Sequence, residues 1–158
     1  MATFSIDFQR SHDIDWFGKI NHTFIHALSF GGLLPVEVNN RETNFVILRH
    51  VYRANVNRQI RIVVNDAYIE QRLRPQANEN DAADFERRKA RYLRHFTDMA
   101  KKGFWSFDRD LYNEKVYHLI AKPDEHCIDE GWYGPRTPVL DVRGFECNGD
   151  NDWVLTLI

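Results

Sequence analysis

Cysteine is scarce in this chain: of 158 residues only Cys127 and Cys147 are cysteines, and neither belongs to a CxxC motif. The N-terminus has no basic segment followed by an apolar one, so no secretion signal is expected. Without such a signal, free thiols are favoured over a disulfide between the two cysteines. These features predict a cytoplasmic protein.

Long hydrophobic runs are also absent, and no stretch approaches the length needed to span a membrane. The net charge is only −2. Such a balance gives no bulk attraction to nucleic acid or to anionic lipid, although a local basic patch remains possible. We therefore expect no membrane partner.

The common catalytic motifs are missing as well. The chain contains no GxSxG nucleophile elbow, no Walker phosphate loop and no dinucleotide-binding glycine pattern. His126 directly precedes Cys127, and adjacency in sequence is not the geometry of a Cys–His catalytic pair. No catalytic residue is assigned from motifs.

The chain does have the composition and length of one globular domain, residues 1–158. Hydrophobic residues make up 43% and aromatic residues 13% of the sequence. A content of this kind supplies a real core, and aromatic residues are also favoured at protein interfaces.

Hydrophobic periodicity predicts the secondary structure of the first two-thirds. Alternation of apolar and polar residues predicts a strand over residues 3–8. Helical spacing of apolar residues predicts a first helix from Ile14 to Leu28, ending at Gly31-Gly32. A short strand is expected over residues 59–64. Three further helices are expected: one capped at Asn39 and stopping at residues 55–57, one capped by Asn65-Asp66 and reaching Leu73, and one from Asp81 to Lys102.

The final third is predicted to be rich in strands. The expected strands are Phe104–Asp108, Lys115–Lys122, Pro138–Arg143 and Trp153–Ile158, the first two forming a hairpin. The prediction is thus an α+β fold with about four helices in the first two-thirds. Its mainly antiparallel sheet is built from the C-terminal third plus the strands near residues 3–8 and 59–64.

Two histidines give the strongest hint of a metal site. His22 and His26 are four residues apart, so on the predicted helix their imidazoles would lie one turn apart on one face. Two imidazoles so placed can share one divalent ion such as zinc. Thr23 stands where the zincin motif has a glutamate, so the motif is weak. The alternative is that both histidines are solvated on a surface helix.

Such a pair needs a third ligand from elsewhere. On the predicted helix Asp15 would lie about 10 Å from His22 along the axis, too far to share its ion. The candidates are His50 and the adjacent His12-Asp13 at the helix start, although Asp13 is more simply a helix cap. Convergence of His12, His22, His26 and His50 on one cleft would favour an enzyme.

Arginines form two groups that could contact phosphates if they met on one face. Acidic residues dilute the group on the fourth helix, so an ordinary solvated face is the simpler interpretation. The first group is Arg87, Arg88, Arg91 and Arg94, beside His95 on the solvent side of the fourth helix, and the second is Arg49, Arg53, Arg58 and Arg61.

Aromatic residues supply the favoured hypothesis. Trp105 lies in a strand with bulky residues on both faces, and Trp132 and Tyr133 lie in a turn-rich loop. Each either packs on the core or anchors a partner. We therefore expect a non-enzymatic protein–protein interaction domain (an inhibitor, adaptor or immunity-type partner) without a cofactor. The alternatives are a small metal-dependent enzyme using His22 and His26, and a nucleic-acid-binding domain using the arginines.

Overall fold

The computed structural model describes residues 2–57, 60–124, 135, 139–147 and 154–157. Within them the chain forms four α-helices and seven strands, which confirms the predicted α+β class. The helices are α1 (Ile6–Ser11), α2 (Arg41–Arg53), α3 (Asp66–Leu73) and α4 (Asp84–Lys101). The strands are β1 (Asp15–Ile20), β2 (Thr23–Leu28), β3 (Ile62–Val64), β4 (Trp105–Arg109), β5 (Val116–Pro123), β6 (Phe145–Cys147) and β7 (Val154–Leu157).

The strands form one sheet in the order β1-β2-β4-β5-β7-β6, and β3 pairs with the end of β5. Only β2 and β4 run parallel among the described pairs, so the sheet is mainly antiparallel, as predicted. It is not confined to the C-terminal third, however, because β1 and β2 supply its first two strands.

The sheet curls so that its outer strands approach each other. The Trp16 ring of β1 stacks on the Phe145 ring of β6, with centroids 5.6 Å apart. Close to this contact, the Lys19 amide donates to the Leu140 carbonyl, and the Val142 amide donates to the Lys19 carbonyl. The concave face therefore encloses a core that includes Trp16 and Tyr117, both without solvent exposure.

Helices cover the other face of the sheet. Helix α4 lies along it beside α3 and buries Phe96 and Ala100 against Ile120 of β5. Helix α2 packs Ile47 and Val51 against a second apolar group that includes Phe17 of β1. The candidate site lies on this helix-covered face, where β1 and β2 meet α2 and α4.

The predicted strand over residues 3–8 is wrong. Ser5 caps α1 instead, its hydroxyl accepting a hydrogen bond from the Phe8 amide. An N-cap that satisfies an amide of the first turn stabilises a short helix locally, and the alternation of apolar residues did not reveal it.

The predicted helix from Ile14 to Leu28 is also wrong, because this segment forms the β1–β2 hairpin. Asn21 and His22 make its two-residue turn with φ of 46° and 71°. Positive φ at both positions is the pattern of a type I′ turn, whose twist matches that of the strands it joins. Apolar residues on both faces of the hairpin, including the buried neighbours Trp16 and Phe17, imitated helical spacing.

The other helix predictions are confirmed. Helix α2 is capped by Asn40, one residue after the predicted cap. The Asn40 side chain accepts a hydrogen bond from the Thr43 amide. Asn65 caps α3 as predicted. Helix α4 has Asp84 in its first turn and Lys101 in its last, the charge order that complements the helix dipole.

The C-terminal strand predictions are confirmed in part. Strands β4 and β5 pair antiparallel, β3 lies within residues 59–64, and β7 lies within the predicted last strand. The described part of Pro138–Arg143 makes only an isolated bridge at Asp141, and β6 follows it instead. Among the helices of the described residues, none combines the length and the hydropathy that a membrane span requires.

Candidate metal centre

One carboxylate and two imidazoles meet on the helix-covered face of the sheet. Asp15 Oδ1 lies 2.6 Å from His26 Nε2 and 2.7 Å from His95 Nε2. Their ligand atoms all lie within 4.8 Å of one another, and no other trio of metal-ligating side chains in the described residues meets this condition. We call this group the Asp15–His26–His95 cluster.

Three separate elements position the cluster. In the β1–β2 register Phe17 faces His26, so Asp15, two residues earlier, points to the same face as the imidazole. Helix α4 crosses this face and brings His95 onto it, with the His26 and His95 rings 5.1 Å apart and nearly perpendicular.

The hydrogen bonds keep Asp15 ionised. Burial by itself raises the pKa of this carboxyl, but the hydrogen bonds from His26 and His95 together hold the pKa well below its usual range. A carboxylate that stays ionised offers its oxygen to a proton or a metal ion throughout the neutral pH range.

The two histidines have opposite electrostatic environments. His26 is completely buried, and burial lowers its pKa despite the neighbouring Asp15, so its imidazole is neutral. The hydrogen bond to Asp15 raises the pKa of His95, whose side chain is 35% exposed. The cluster therefore has a closed end at His26 and an open end at His95.

Ser106 of β4 holds the second nitrogen of His26. The Ser106 hydroxyl lies 2.6 Å from His26 Nδ1 and is fully buried. With Nε2–H donating to Asp15, a neutral His26 accepts from Ser106 at Nδ1. A hydroxyl can also accept, so Ser106 supports the other tautomer when a metal ion replaces the proton on Nε2. Because Ser106 is shielded from solvent, it is not placed to act as a nucleophile.

Tyr52 of α2 borders the open end. Its hydroxyl donates to Asp15 Oδ2 at 3.3 Å, and its ring lies 6.5 Å from that of His95. Burial and the negative charge of Asp15 raise the pKa of Tyr52 to about 12. At neutral pH Tyr52 is therefore a proton donor at the exposed edge of the cluster.

The predicted His22–His26 pair is not assembled. His22 lies in the hairpin turn, whereas His26 lies four residues along β2 and is buried. A strand rises about 3.3 Å per residue and a helix only about 1.5 Å. Side chains four residues apart are therefore neighbours on a helix but are well separated along extended chain. His26 is in the cluster, but its partners are Asp15 and His95.

The other predicted histidines do not converge with it. His12 stacks on Phe8 with ring centroids 3.8 Å apart, and its Nδ1 lies 2.9 Å from the Phe8 carbonyl. His50 is exposed on α2 and lines a surface cleft. Asp13 is not a helix cap: it accepts from the Phe30 amide.

The arginines of α4 divide into two kinds. Arg87 pairs with Asp81 and Asp84, and Arg88 Nε lies 2.8 Å from Asp84. Arg91 and Arg94 are exposed. His95, expected on the same solvent side, turns towards Asp15 instead.

Of the three aromatic anchors, only Trp105 lies within the described residues. Its side chain is half-buried against the concave core, and Lys122 Nζ lies 4.4 Å from its ring centroid. Trp132, Tyr133 and Cys127 lie outside the described residues. The interaction surface built on them stays a prediction.

Asp15 and His95 were not predicted as partners of His26. A two-residue turn at Asn21-His22 between aromatic and β-branched segments was the signal for a hairpin, and it would have brought Asp15 close to His26. No local signal marks His95, which is 69 residues from His26 in the sequence.

The cluster thus has features typical of a metal centre: donors from three elements, a buried partner for one imidazole, and one open side. Among known proteins, no family model, no curated protein and no solved structure matches this chain.

Proposed function

We propose that this protein is a small metal-dependent enzyme whose ion is bound by Asp15, His26 and His95. The observation that carries the proposal is the convergence of both imidazole Nε2 atoms on Asp15 Oδ1. Two histidines and one carboxylate bind zinc in catalytic sites and ferrous iron in oxygenases, with positions left open for water or substrate.

The donor atoms need only small movements to bind an ion. Four-coordinate zinc with bonds of about 2.0–2.1 Å holds neighbouring donors about 3.3 Å apart. The observed separations of 2.6 and 2.7 Å are those of direct hydrogen bonds. Both separations must widen, so Asp15 and His95 have to move. Their side chains are 18% and 35% exposed, so small rotations of these two give the expansion while the buried His26 keeps its place in the core.

The charges also suit a divalent cation. The cluster offers an ionised carboxylate and a neutral buried imidazole, and the ion displaces one proton from each Nε2. A bound ion of this type activates water or polarises a substrate oxygen. Tyr52, a proton donor at the open edge, is placed to hydrogen-bond a substrate or a leaving group. Metal-assisted hydrolysis is the reaction class that these groups support.

Metal analysis tests the proposal directly. Protein purified without chelator is expected to contain about one equivalent of a transition metal, and chelated protein is expected to regain it from zinc or cobalt solutions. His95→Gln should weaken binding at least about tenfold, the scale on which even supporting residues act. This variant changes a half-exposed side chain, so its fold should survive.

Matched controls separate the cluster from incidental histidine binding. His22→Gln and His50→Gln also remove one imidazole each, but outside the cluster, and should leave the metal content unchanged. A chain that binds no metal, or a His95→Gln variant that binds as tightly as the parent, would show that the cluster is only a hydrogen-bond network.

A further inference from the structure

We infer that the surface cleft on α2 beside the cluster binds a phosphate group, which makes a phosphate ester the substrate class. The link to a substrate rests on the proposed function, whereas phosphate binding itself rests on α2. The residues that carry the inference are Arg49, Arg53 and Lys102.

Positive charge is concentrated in residues 43–65, although the net charge of the chain is −2. Residues 43–65 contain no aspartate or glutamate, whereas they contain Arg49, Arg53, Arg58, Arg61 and His50. Some of these basic residues lie near the C-terminal end of α2, where positive charge stabilises the helix by compensating its dipole. Arg61 pairs with Asp124 at 3.7 Å, and Arg58 lies outside the described residues. A helix end carries only about half a negative charge, so it does not balance Arg49 and Arg53 together.

The cations line two adjoining clefts, which together form the α2 cleft of the proposal. The first is lined by Val46, Arg49, His50 and Arg53. The second shares His50 and Arg53 and adds Lys102. Among the described residues no carboxylate lines either cleft. A concave surface with cations and no anions attracts an anion rather than a cation.

The two arginines of the first cleft form no ion pair with any described residue. Arg49 lies over the Phe45 ring at 5.6 Å, which supports the side chain and leaves its N–H groups for a ligand. Arg87 and Arg88 on α4, by contrast, are held by Asp81 and Asp84. Guanidinium groups match the geometry of phosphate oxygens and bind them with paired hydrogen bonds.

Tyr52 joins this cleft to the cluster. It lies between His50 and Arg53 on α2, and its hydroxyl donates to Asp15. Lys102 Nζ, which also lines the second cleft, lies 5.8 Å from the Tyr52 ring centroid. A substrate whose phosphate lies beside Lys102 in the second cleft would reach the open end of the cluster by extending past Tyr52.

Equilibrium binding of inorganic phosphate to chelated protein tests the inference without any metal. Phosphorus NMR or calorimetry at low ionic strength should show saturable binding that weakens as salt is added. Arg49→Gln and Arg53→Gln should each weaken it about tenfold, the effect of losing one strong charged contact. Arg10→Gln removes an exposed arginine from α1 and should change it less than about twofold.

Equal losses in all three variants, or no saturable binding, would overturn the inference. A short single-stranded oligonucleotide serves as a second probe. Much tighter, steeply salt-dependent binding of the oligonucleotide identifies a nucleic-acid backbone as the source of the phosphate, and similar affinities identify a small ester. Either result supports a phosphate site.

The two proposals fail separately. Phosphate binding by a chain that never binds metal overturns the proposed function and supports the cleft. Metal binding without phosphate binding overturns the cleft alone. In His95→Gln, loss of metal with phosphate binding retained supports both.

Discussion

A buried ion pair between α3 and β4 gives the sharpest test of how the fold is held together. Arg72 Nη2 lies 3.1 Å from Asp108 Oδ2, with side chains 5% and 4% exposed. Tyr92 of α4 donates to the same carboxylate oxygen at 2.6 Å. Arg72→Met keeps most of the side-chain volume but removes the charge, leaving Asp108 buried without its cation.

The expected cost is large. Removing one partner of a buried pair typically costs about 3–5 kcal/mol, because the remaining charge loses both water and its counterion. Domains of this size unfold with about 5–15 kcal/mol, so the variant loses a substantial part of its stability. The hydrogen bond from Tyr92 to Asp108 Oδ2 remains in the variant, but it brings no positive charge, and Asp108 Oδ1 has no hydrogen-bond partner.

The stability lost in Arg72→Met should depend on pH. Burial raises the pKa of Asp108, and the Arg72 guanidinium lowers it in part. Without Arg72 the pKa rises further above its unfolded value near 3.9, so the folded state binds the proton more tightly. The free energy of unfolding then falls as pH rises through this window, by up to about 1.4 kcal/mol per pH unit. Below the unfolded pKa, both states are protonated and the variant is least affected.

Urea unfolding followed by tryptophan fluorescence at pH 4 and pH 7 measures both effects. Asp108→Asn and the double variant complete a double-mutant cycle, and the double variant should be more stable than Arg72→Met alone because no charge remains buried. A loss of less than about 1 kcal/mol at pH 7, or equal losses at both pH values, would show that the Arg72–Asp108 pair does not hold α3 to β4 as an ion pair.

Two further substitutions test the β1–β2 hairpin. His22→Gly should raise the free energy of unfolding by about 0.5–1 kcal/mol, because glycine adopts the turn's φ of 71° without strain. Thermal melting measures this gain, and a lower melting temperature would contradict the assignment of the turn. Gly18→Ala should lower stability by about 1–3 kcal/mol, because a methyl group there overlaps Val142 Cγ2, and urea unfolding detects it. An unchanged midpoint would mean that residues 139–142 do not pack on β1.

The parts of the fold that depend on local chemistry were predictable from the order of residues along the chain. Helix α4 was predicted because its apolar stripe, acidic start and basic end agree, and α3 because Asn65 caps it. Strands β4 and β5 were predicted from alternation and a polar loop. In each case residues close in sequence carry the information.

The hairpin and the candidate site depend instead on contacts between elements that are distant in the sequence. Trp16 packs in the concave core and Phe17 under the helices, so both faces of β1 are apolar and its period of two is hidden. The cluster joins residues 11 and 69 positions apart, through strand register and the placement of α4. Contacts of that range depend on how elements pack, which no local pattern encodes. The sequence pointed to His26, and the fold supplied Asp15 and His95.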